Sequence, residues 1–176
     1  MKSCYSCGAK IKAVENKPYH YDECGLNVVL LGITQYQCDK CGESYAAIPN
    51  IQKLHRLIGM HICQKRKALL QSDEIKFLRK DLHLRAKELA QLLGVTPQAV
   101  SRWENGKKEI GEAHDRLYRS LYMMYASEQA KQIVCGDVIN TFRELPAKRK
   151  EIKQPKEIVL NPQEWTNRRG DFCPAL

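Results

Sequence analysis

Two copies of one short cysteine pattern constrain the fold of this chain more than any other feature. Each copy reads Cys-x-x-Cys-Gly, and together they supply the thiols of Cys4, Cys7, Cys38 and Cys41. Two intervening residues let both thiolates of a copy point at one ion from a tight turn, and the glycine that follows suits a backbone with positive φ. Four thiolates are the ligand set of a closed tetrahedral zinc site. The pattern therefore predicts one structural Zn²⁺ ion.

The residues between the two copies are predicted to form a small sheet. They contain three strand-like stretches, at residues 17–21, 26–31 and 34–37. An antiparallel arrangement of such strands would bring the cysteine pairs together, as in a zinc ribbon. Metal binding would supply folding free energy to a segment that buries little apolar surface by itself. Because four protein ligands leave no open position on the metal, we predict no zinc catalysis and no enzyme.

The other cysteines and the alternative chemistries have plainer interpretations. Four cysteines stand alone and are expected to be core or surface thiols: Cys24, Cys63, Cys135 and Cys173. For the paired set, two alternatives stay open, namely small buried hydrophobic residues or a redox dithiol. A thiol enzyme or redox sensor would need an exposed cysteine of low pKa, and no cysteine is paired with an obvious activating base.

Composition limits the compartment and the partners. The chain has 176 residues, eight cysteines and a formal net charge of +9. It contains no apolar run long enough to span a membrane, and its first residues lack the apolar stretch of a signal peptide. We therefore expect a cytoplasmic protein, in which thiols stay reduced and paired cysteines indicate metal or redox chemistry. The positive charge suits a polyanionic partner.

Four segments differ in pattern. Residues 1–50 hold five of the eight cysteines and form the predicted zinc domain, and residues 51–71, with five basic residues and no acidic one, form a predicted connecting helix. Residues 72–126 are predicted to form a bundle of short helices, and residues 127–176 a C-terminal helix and an extended tail. The predicted fold class is α+β and multidomain, a small zinc-ribbon-like β domain followed by an all-α bundle.

Two helices near the end of the chain are predicted from apolar spacing. Leu117, Leu121 and Met124 recur at helical intervals and give the apolar face of the last bundle helix. Ser127 is placed to cap a further helix over residues 127–145. After that helix, prolines among many charges indicate an extended or disordered tail.

Residues 86–106 have the pattern of a helix-turn-helix. Their apolar positions are Leu89, Ala90, Leu93, Val100 and Trp103. Gly94 stands where the chain must turn sharply, Thr96 can cap the second helix, and Pro97 suits that helix's first position. Asn105 and Gly106 end it. Small, turn-forming and apolar residues at this spacing predict two packed helices that form a helix-turn-helix and not merely an amphipathic pair.

The polar face of the second helix is then the predicted DNA-reading surface. Gln98 and Arg102 lie one turn apart on the same side, and these side chains can contact adenine and guanine in the major groove. Backbone or secondary DNA contacts are predicted for Arg85, Lys87, Thr96, Ser101, Asn105, Lys107 and Lys108. The alternative for each polar residue alone is an ordinary solvated side chain.

These motifs resemble known families. Residues 72–125 resemble the lambda-repressor-like helix-turn-helix regulators of the XRE class, and residues 1–50 resemble the YgiT-type zinc finger through the two cysteine pairs and the run at residues 29–33. The residues that match the XRE class are Leu89-Ala90, Leu93-Gly94-Val95, Val100-Ser101, Trp103-Glu104 and Asn105-Gly106. A zinc finger followed by a helix-turn-helix resembles the MqsA family of antitoxin repressors.

The resemblance implies a dimer that binds a palindromic operator and a zinc domain that binds a ribonuclease toxin. It also implies base contacts from an Asn and an Arg four positions apart, which correspond to Gln98 and Arg102, so the preferred operator should differ where Gln replaces Asn. In the wider family a Ser or Thr followed by Gln begins the first motif helix, whereas this chain has Arg85 and Ala86. The leading hypothesis is a dimeric, zinc-stabilised repressor. The alternative is an interaction module that mainly neutralises a toxin.

Overall fold

The computed structural model describes residues 3–15, 17–130 and 157–161 of the chain. Over these residues the elements are β1 (Ile11–Val14), β2 (Tyr19–His20), β3 (Val28–Leu30), β4 (Gln35–Cys38), β5 (Ser44–Ala46), α1 (Ile51–Lys65), α2 (Ser72–Asp81), α3 (Ala86–Leu93), α4 (Pro97–Glu104), α5 (Glu112–Ala130) and β6 (Ile158–Leu160). Small sheets followed by a group of helices confirm the predicted α+β class.

The first sheet positions the two cysteine pairs. Its order is β1-β4-β5, and both pairings are antiparallel. Cys38 ends β4 opposite Ile11 of β1, so the second pair lies in the turn between β4 and β5. An isolated bridge between Ser3 and Lys10 closes the loop of the first pair. The strand predicted at residues 34–37 is confirmed as β4. β1 and β5 were not predicted, because both are short and neither has alternating burial.

The second sheet has the order β2-β3-β6 and lies in the apolar core. β2 and β3 fall within the predicted stretches 17–21 and 26–31 and pair antiparallel. All three residues of β3 are buried. β6 comes from the C-terminal region, which was predicted to be extended, and pairs with β3 in parallel. The chain therefore returns to its N-terminal part after the helices.

The first helix is shorter than its sequence pattern suggested. Its N-terminus is capped by Asn50, whose side chain accepts the N–H of Lys53 at 2.9 Å. The prediction of a helix through residue 71 is wrong, because α1 ends at Lys65. Beyond that point the carbonyl oxygens of Arg66 and Ala68 accept hydrogen bonds from the guanidinium of Arg119. These bonds stabilise a non-helical connection that leads into α2.

The last described helix continues past the expected break at Ser127. Helix α5 runs to Ala130, and the Ser127 hydroxyl donates to the carbonyl of Met123 one turn earlier. The expectation that Ser127 caps a new helix is therefore wrong, since its hydroxyl is satisfied inside α5. Residues 131–145 of that predicted helix lie outside the described residues. The helix over Leu117–Met124 is confirmed, but Leu117 and Met124 are exposed.

Helices α1 and α5 approach closely at Gly59. A Cβ on Gly59 would overlap the ring and hydroxyl of Tyr122, which is fully buried and donates a hydrogen bond to Asp81. Gly59→Ala should therefore lower the free energy of unfolding by about 1–3 kcal/mol, the usual cost of overpacking. The matched control is Gly111→Ala, since a Cβ there meets nothing within 4 Å. Denaturant unfolding measures both, and equal stabilities of the two variants would contradict the close approach.

Candidate metal centre and recognition surface

The structure brings all four predicted cysteine ligands together. Their sulfur atoms lie within 4.8 Å of one another. Across the two pairs, the Sγ–Sγ distances are 3.6 Å for Cys4–Cys41 and 3.5 Å for Cys7–Cys38. Cys4 and Cys38 are buried, Cys7 is half-buried and Cys41 is exposed. This arrangement lets four thiolates surround one metal ion.

The backbone of the two pairs follows the same course. In the first, the N–H of Gly8 donates to the carbonyl of Cys4 at 2.9 Å, and in the second the N–H of Gly42 donates to Cys38 at 2.9 Å. Both glycines have positive φ, 70° and 76°. This region is accessible to glycine without a steric penalty, as the sequence pattern predicted. The repeated turn explains why a glycine follows each pair.

Tyr45 is a further polar neighbour of the sulfur cluster that the sequence analysis missed. It lies on β5, and its hydroxyl is 3.0 Å from the sulfur of Cys4. The Tyr45 ring also contacts the Tyr5 ring edge-on, with centroids 5.4 Å apart. The hydrogen bond from Tyr45 lowers the pKa of the Cys4 thiol to about 6. A phenol that donates to a thiolate helps to orient a metal ligand.

The four sulfurs favour a bound cation on electrostatic grounds. The N–H of Glu43 favours the thiolate of Cys41, but the hydrogen bond with Cys38, desolvation, and the neighbouring Cys4 and Cys7 raise the pKa of that thiol to about 12. Four thiolates in one small volume repel each other, so the last of them stays protonated unless a positive charge is added. A divalent ion that prefers sulfur removes this repulsion. The donor set therefore fits such an ion.

Two other described cysteines lie outside the cluster. The Cys24 thiol is half-buried and donates to the carbonyl of Tyr21 at 3.4 Å. Cys63 is fully buried on α1, and burial raises the pKa of its thiol to about 12. A thiol in this state is unreactive at neutral pH. Cys135 and Cys173 lie outside the described residues.

Helices α3 and α4 form the predicted pair with a tight turn. Gly94 ends α3 with φ of 66°, and the Val95 N–H donates to the carbonyl of Ala90 at 2.9 Å. Thr96 accepts the N–H of Ala99 at 3.2 Å, and Pro97 is the first residue of α4. The side chains predicted to hold the two helices together are all buried: Leu89, Ala90, Leu93, Val100 and Trp103.

The residues predicted to contact DNA lie on or next to helices α3 and α4. All nine residues are exposed: Arg85, Lys87, Thr96, Gln98, Ser101, Arg102, Asn105, Lys107 and Lys108. Several of them also bond locally, including Thr96, whose side chain accepts the N–H of Ala99. The Asn105 amide donates to the carbonyl of Ser101 at 2.7 Å, and the Arg85 guanidinium lies 2.6 Å from the carboxylate of Glu88. The described chain therefore leaves the outer face of α4 open to solvent.

The C-terminal end of α4 is held in place by an ion pair between Arg79 and Glu104. Arg79 of α2 donates to both carboxylate oxygens of Glu104 and also to the carbonyl of Leu84 at 2.8 Å. Both side chains are largely buried. A two-point contact of this kind sets the direction of α4 relative to α2.

The fold and the sulfur cluster define a small α+β protein with four clustered cysteines that could hold a metal ion. Residues 1–124 match the family described as the antitoxin component of the bacterial toxin-antitoxin system, MqsA. The chain belongs to this family, which confirms the resemblance. The family places the chain among antitoxins and DNA-binding regulators, which typically have no enzyme activity and act with a toxin partner. A search of curated proteins found no match.

Among the residues that the structure describes, none forms a helix both long and apolar enough to cross a bilayer.

Proposed function

We propose that this protein is a dimeric, sequence-specific repressor and antitoxin of the cytoplasm, with one structural Zn²⁺ ion. The observation that supports DNA binding most directly is the open face of α4, on which Gln98 and Arg102 are exposed one turn apart. Their helix is fixed in the protein by the buried side chains of Val100 and Trp103 and by the ion pair between Arg79 and Glu104. A rigid helix with exposed polar side chains is what direct readout in the major groove requires.

Zinc would stabilise the domain formed by residues 1–50 without taking part in a reaction. Cys4, Cys7, Cys38 and Cys41 would supply all four ligands of a tetrahedral ion, which leaves no position for water or substrate. The ion would neutralise the thiolates and join the loop before β1 to the turn after β4. The zinc domain of residues 1–50 would then be the surface for a toxin, as family membership suggests.

DNA affinity and DNA specificity would come from different residues. Lys87 is exposed on α3, and Lys107 and Lys108 are exposed just after α4, so these basic side chains suit phosphate neutralisation. Arg85 would contribute only when its contact with Glu88 opens. Sequence choice would come from Gln98 and Arg102, with Thr96, Ser101 and Asn105 in secondary contacts. A dimer would place two such helices about one helical turn of DNA apart, on a palindromic site.

Arg102→Ala tests the assignment of a base contact. On a duplex selected by the purified protein, we expect a loss of about 1–3 kcal/mol in binding free energy and relaxed preference at one position of each half-site. The matched control is Lys107→Ala, which should weaken binding similarly on all sequences and reduce the salt dependence. Fluorescence anisotropy at fixed salt measures both. A loss below about 1 kcal/mol for Arg102→Ala, with unchanged preference, would count against the base contact.

Toxin neutralisation as the main role is the second candidate, because the family is described as an antitoxin component. A toxin-like reading frame directly beside this gene would favour that role, and its absence would favour a stand-alone regulator. If the Arg102→Ala variant still binds the product of such a frame, the two roles reside on separate surfaces.

A further inference from the structure

Strand β6 adds to the zinc domain a segment that lies outside the family match. The match ends at residue 124, whereas β6 spans Ile158–Leu160. It lies parallel to β3, in the register Val28↔Ile158 and Leu30↔Leu160. Two hydrogen bonds flank the pairing, from the Ile158 N–H to the Asn27 carbonyl at 3.1 Å and from the Leu31 N–H to the Leu160 carbonyl at 3.0 Å.

The side chains of β6 fit the core as two apolar anchors with a solvent-facing residue between them. Ile158 and Leu160 are 1% and 3% exposed, whereas Val159 is 45% exposed. Both anchors belong to the same buried cluster as Val28 and Leu30. This alternation is the side-chain pattern of a strand that covers a core with one face. The pattern needed to occupy this edge is therefore short: apolar, any residue, apolar.

The opposite edge of β3 is already occupied by β2, so β6 occupies its remaining edge. Without β6, the N–H of Leu31 and the carbonyl of Asn27 would lose the partners that they have here. Ile158 and Leu160 would also leave the apolar cluster beside β3. An edge with free backbone groups and an exposed apolar strip is a template for addition of an extended segment.

We infer that the edge of β3 opposite β2 is a strand-docking site, which this chain fills with its own residues 157–161. The partner that fits is a protein with an extended segment of apolar-x-apolar pattern, which binds in parallel to β3 after displacing β6. Main-chain hydrogen bonds to Asn27 and Leu31 supply affinity, and the two apolar side chains supply selectivity. Strand β6 then competes with such a partner within the same chain, so the partner binds only when β6 has left the edge.

The experiment uses the full chain with the double substitution Ile158→Asp and Leu160→Asp, which puts two charges at buried positions. The matched control is Val159→Asp, because Val159 faces solvent. Hydrogen exchange of the Leu31 amide reports whether β6 is in place, and we expect exchange to become at least about tenfold faster only in the double variant. Exchange of the α3 and α4 amides, compared with the wild type, reports whether the helices stay folded.

A labelled peptide of residues 155–162 then probes the released edge. Because a linked segment competes at a high effective concentration, the peptide should bind the double variant at least about tenfold more tightly than the wild type or Val159→Asp. A peptide with aspartate at positions 158 and 160 should bind none of them. If the double variant fails to fold, the milder Leu160→Ala variant takes its place, with an intermediate gain in peptide affinity expected.

Two outcomes would overturn the inference. One is a Leu31 amide that stays as protected in the released variants as in the wild type, which would mean that β6 does not cover this edge. The other is a fast Leu31 amide without any gain in peptide binding, which would mean that the edge does not accept a strand in trans. A wild-type dimer that dissociates in the double variant but not in Val159→Asp, measured by solution mass, would assign the edge to exchange of β6 between copies and would also overturn the proposed partner.

Discussion

Replacement of Arg119 by methionine should lower the free energy of unfolding by about 3–5 kcal/mol, the usual cost of removing one partner of a buried ion pair. Arg119 and Asp115 are both fully buried on α5, with Nε and Oδ2 3.0 Å apart. Methionine keeps much of the side-chain length but offers no donor. The carboxylate of Asp115 would then remain buried without its ion-pair partner.

The cost extends beyond the ion pair, because Arg119 satisfies the C-terminal end of α1. Its guanidinium donates to the carbonyls of Ile62 and Cys63 at 2.8 and 2.9 Å, and to those of Arg66 and Ala68 in the connection that follows. The last carbonyls of a helix have no partner within the helix. A buried cation at this position also interacts favourably with the helix dipole.

Arg116→Met is the matched control for this prediction. It lies on the same helix and pairs with Glu112 at the same spacing, but the atoms are 4.0 Å apart and the side chains are 36% and 38% exposed. An exposed pair of this kind contributes less than about 1 kcal/mol. Urea unfolding of both variants at the same zinc concentration gives the comparison. Similar losses for the two arginines would contradict a structural role for the buried guanidinium.

Local patterns in the sequence predicted the parts of the molecule that local chemistry determines. The spacing of cysteine and glycine specifies the two turns by itself, so the sulfur cluster followed from the sequence. The turn at Gly94 and the cap at Thr96 also depend on neighbouring residues, and both are present as predicted. The DNA contacts assigned to Gln98 and Arg102 stay predictions, since exposure on α4 is necessary for them but not sufficient.

Contacts between distant parts of the chain were not predictable in this way. Apolar spacing on α5 indicated the face of Leu117 and Met124, yet the buried face contains Tyr118, Arg119 and Tyr122. These polar-tipped residues are buried because distant groups satisfy them: Tyr118 donates to the carbonyl of Ile75, and Tyr122 donates to Asp81. Likewise, nothing near β6 in the sequence indicates that it pairs with a strand more than a hundred residues earlier.

Among the first fifty residues, we expect substitutions of the four clustered cysteines to have the largest effect on stability. Cys38→Ser should reduce the zinc content from about one ion per chain to almost none, because three thiolates and a hydroxyl are a much poorer ligand set. Structural zinc supplies about 10–16 kcal/mol of apparent binding free energy in small finger peptides, which is comparable to the whole stability of a domain. Elemental analysis of the purified variant measures the zinc content.

Loss of the ion should open the first sheet and spare the helix pair. Cys38 ends β4 at the centre of the β1-β4-β5 sheet, whereas α3 and α4 pack through buried side chains that do not include the sulfur ligands. Amide exchange should therefore accelerate in β1, β4 and β5 but not in α3 or α4, and a zinc chelator added to the wild type should reproduce the pattern. Cys24→Ser is the control, since its thiol lies outside the cluster and a hydroxyl can keep the bond to Tyr21. Full zinc content in Cys38→Ser would refute Cys38 as an essential ligand. Protected sheet amides in zinc-free Cys38→Ser would refute a structural metal, because the sheet would then be stable through its own backbone pairing alone.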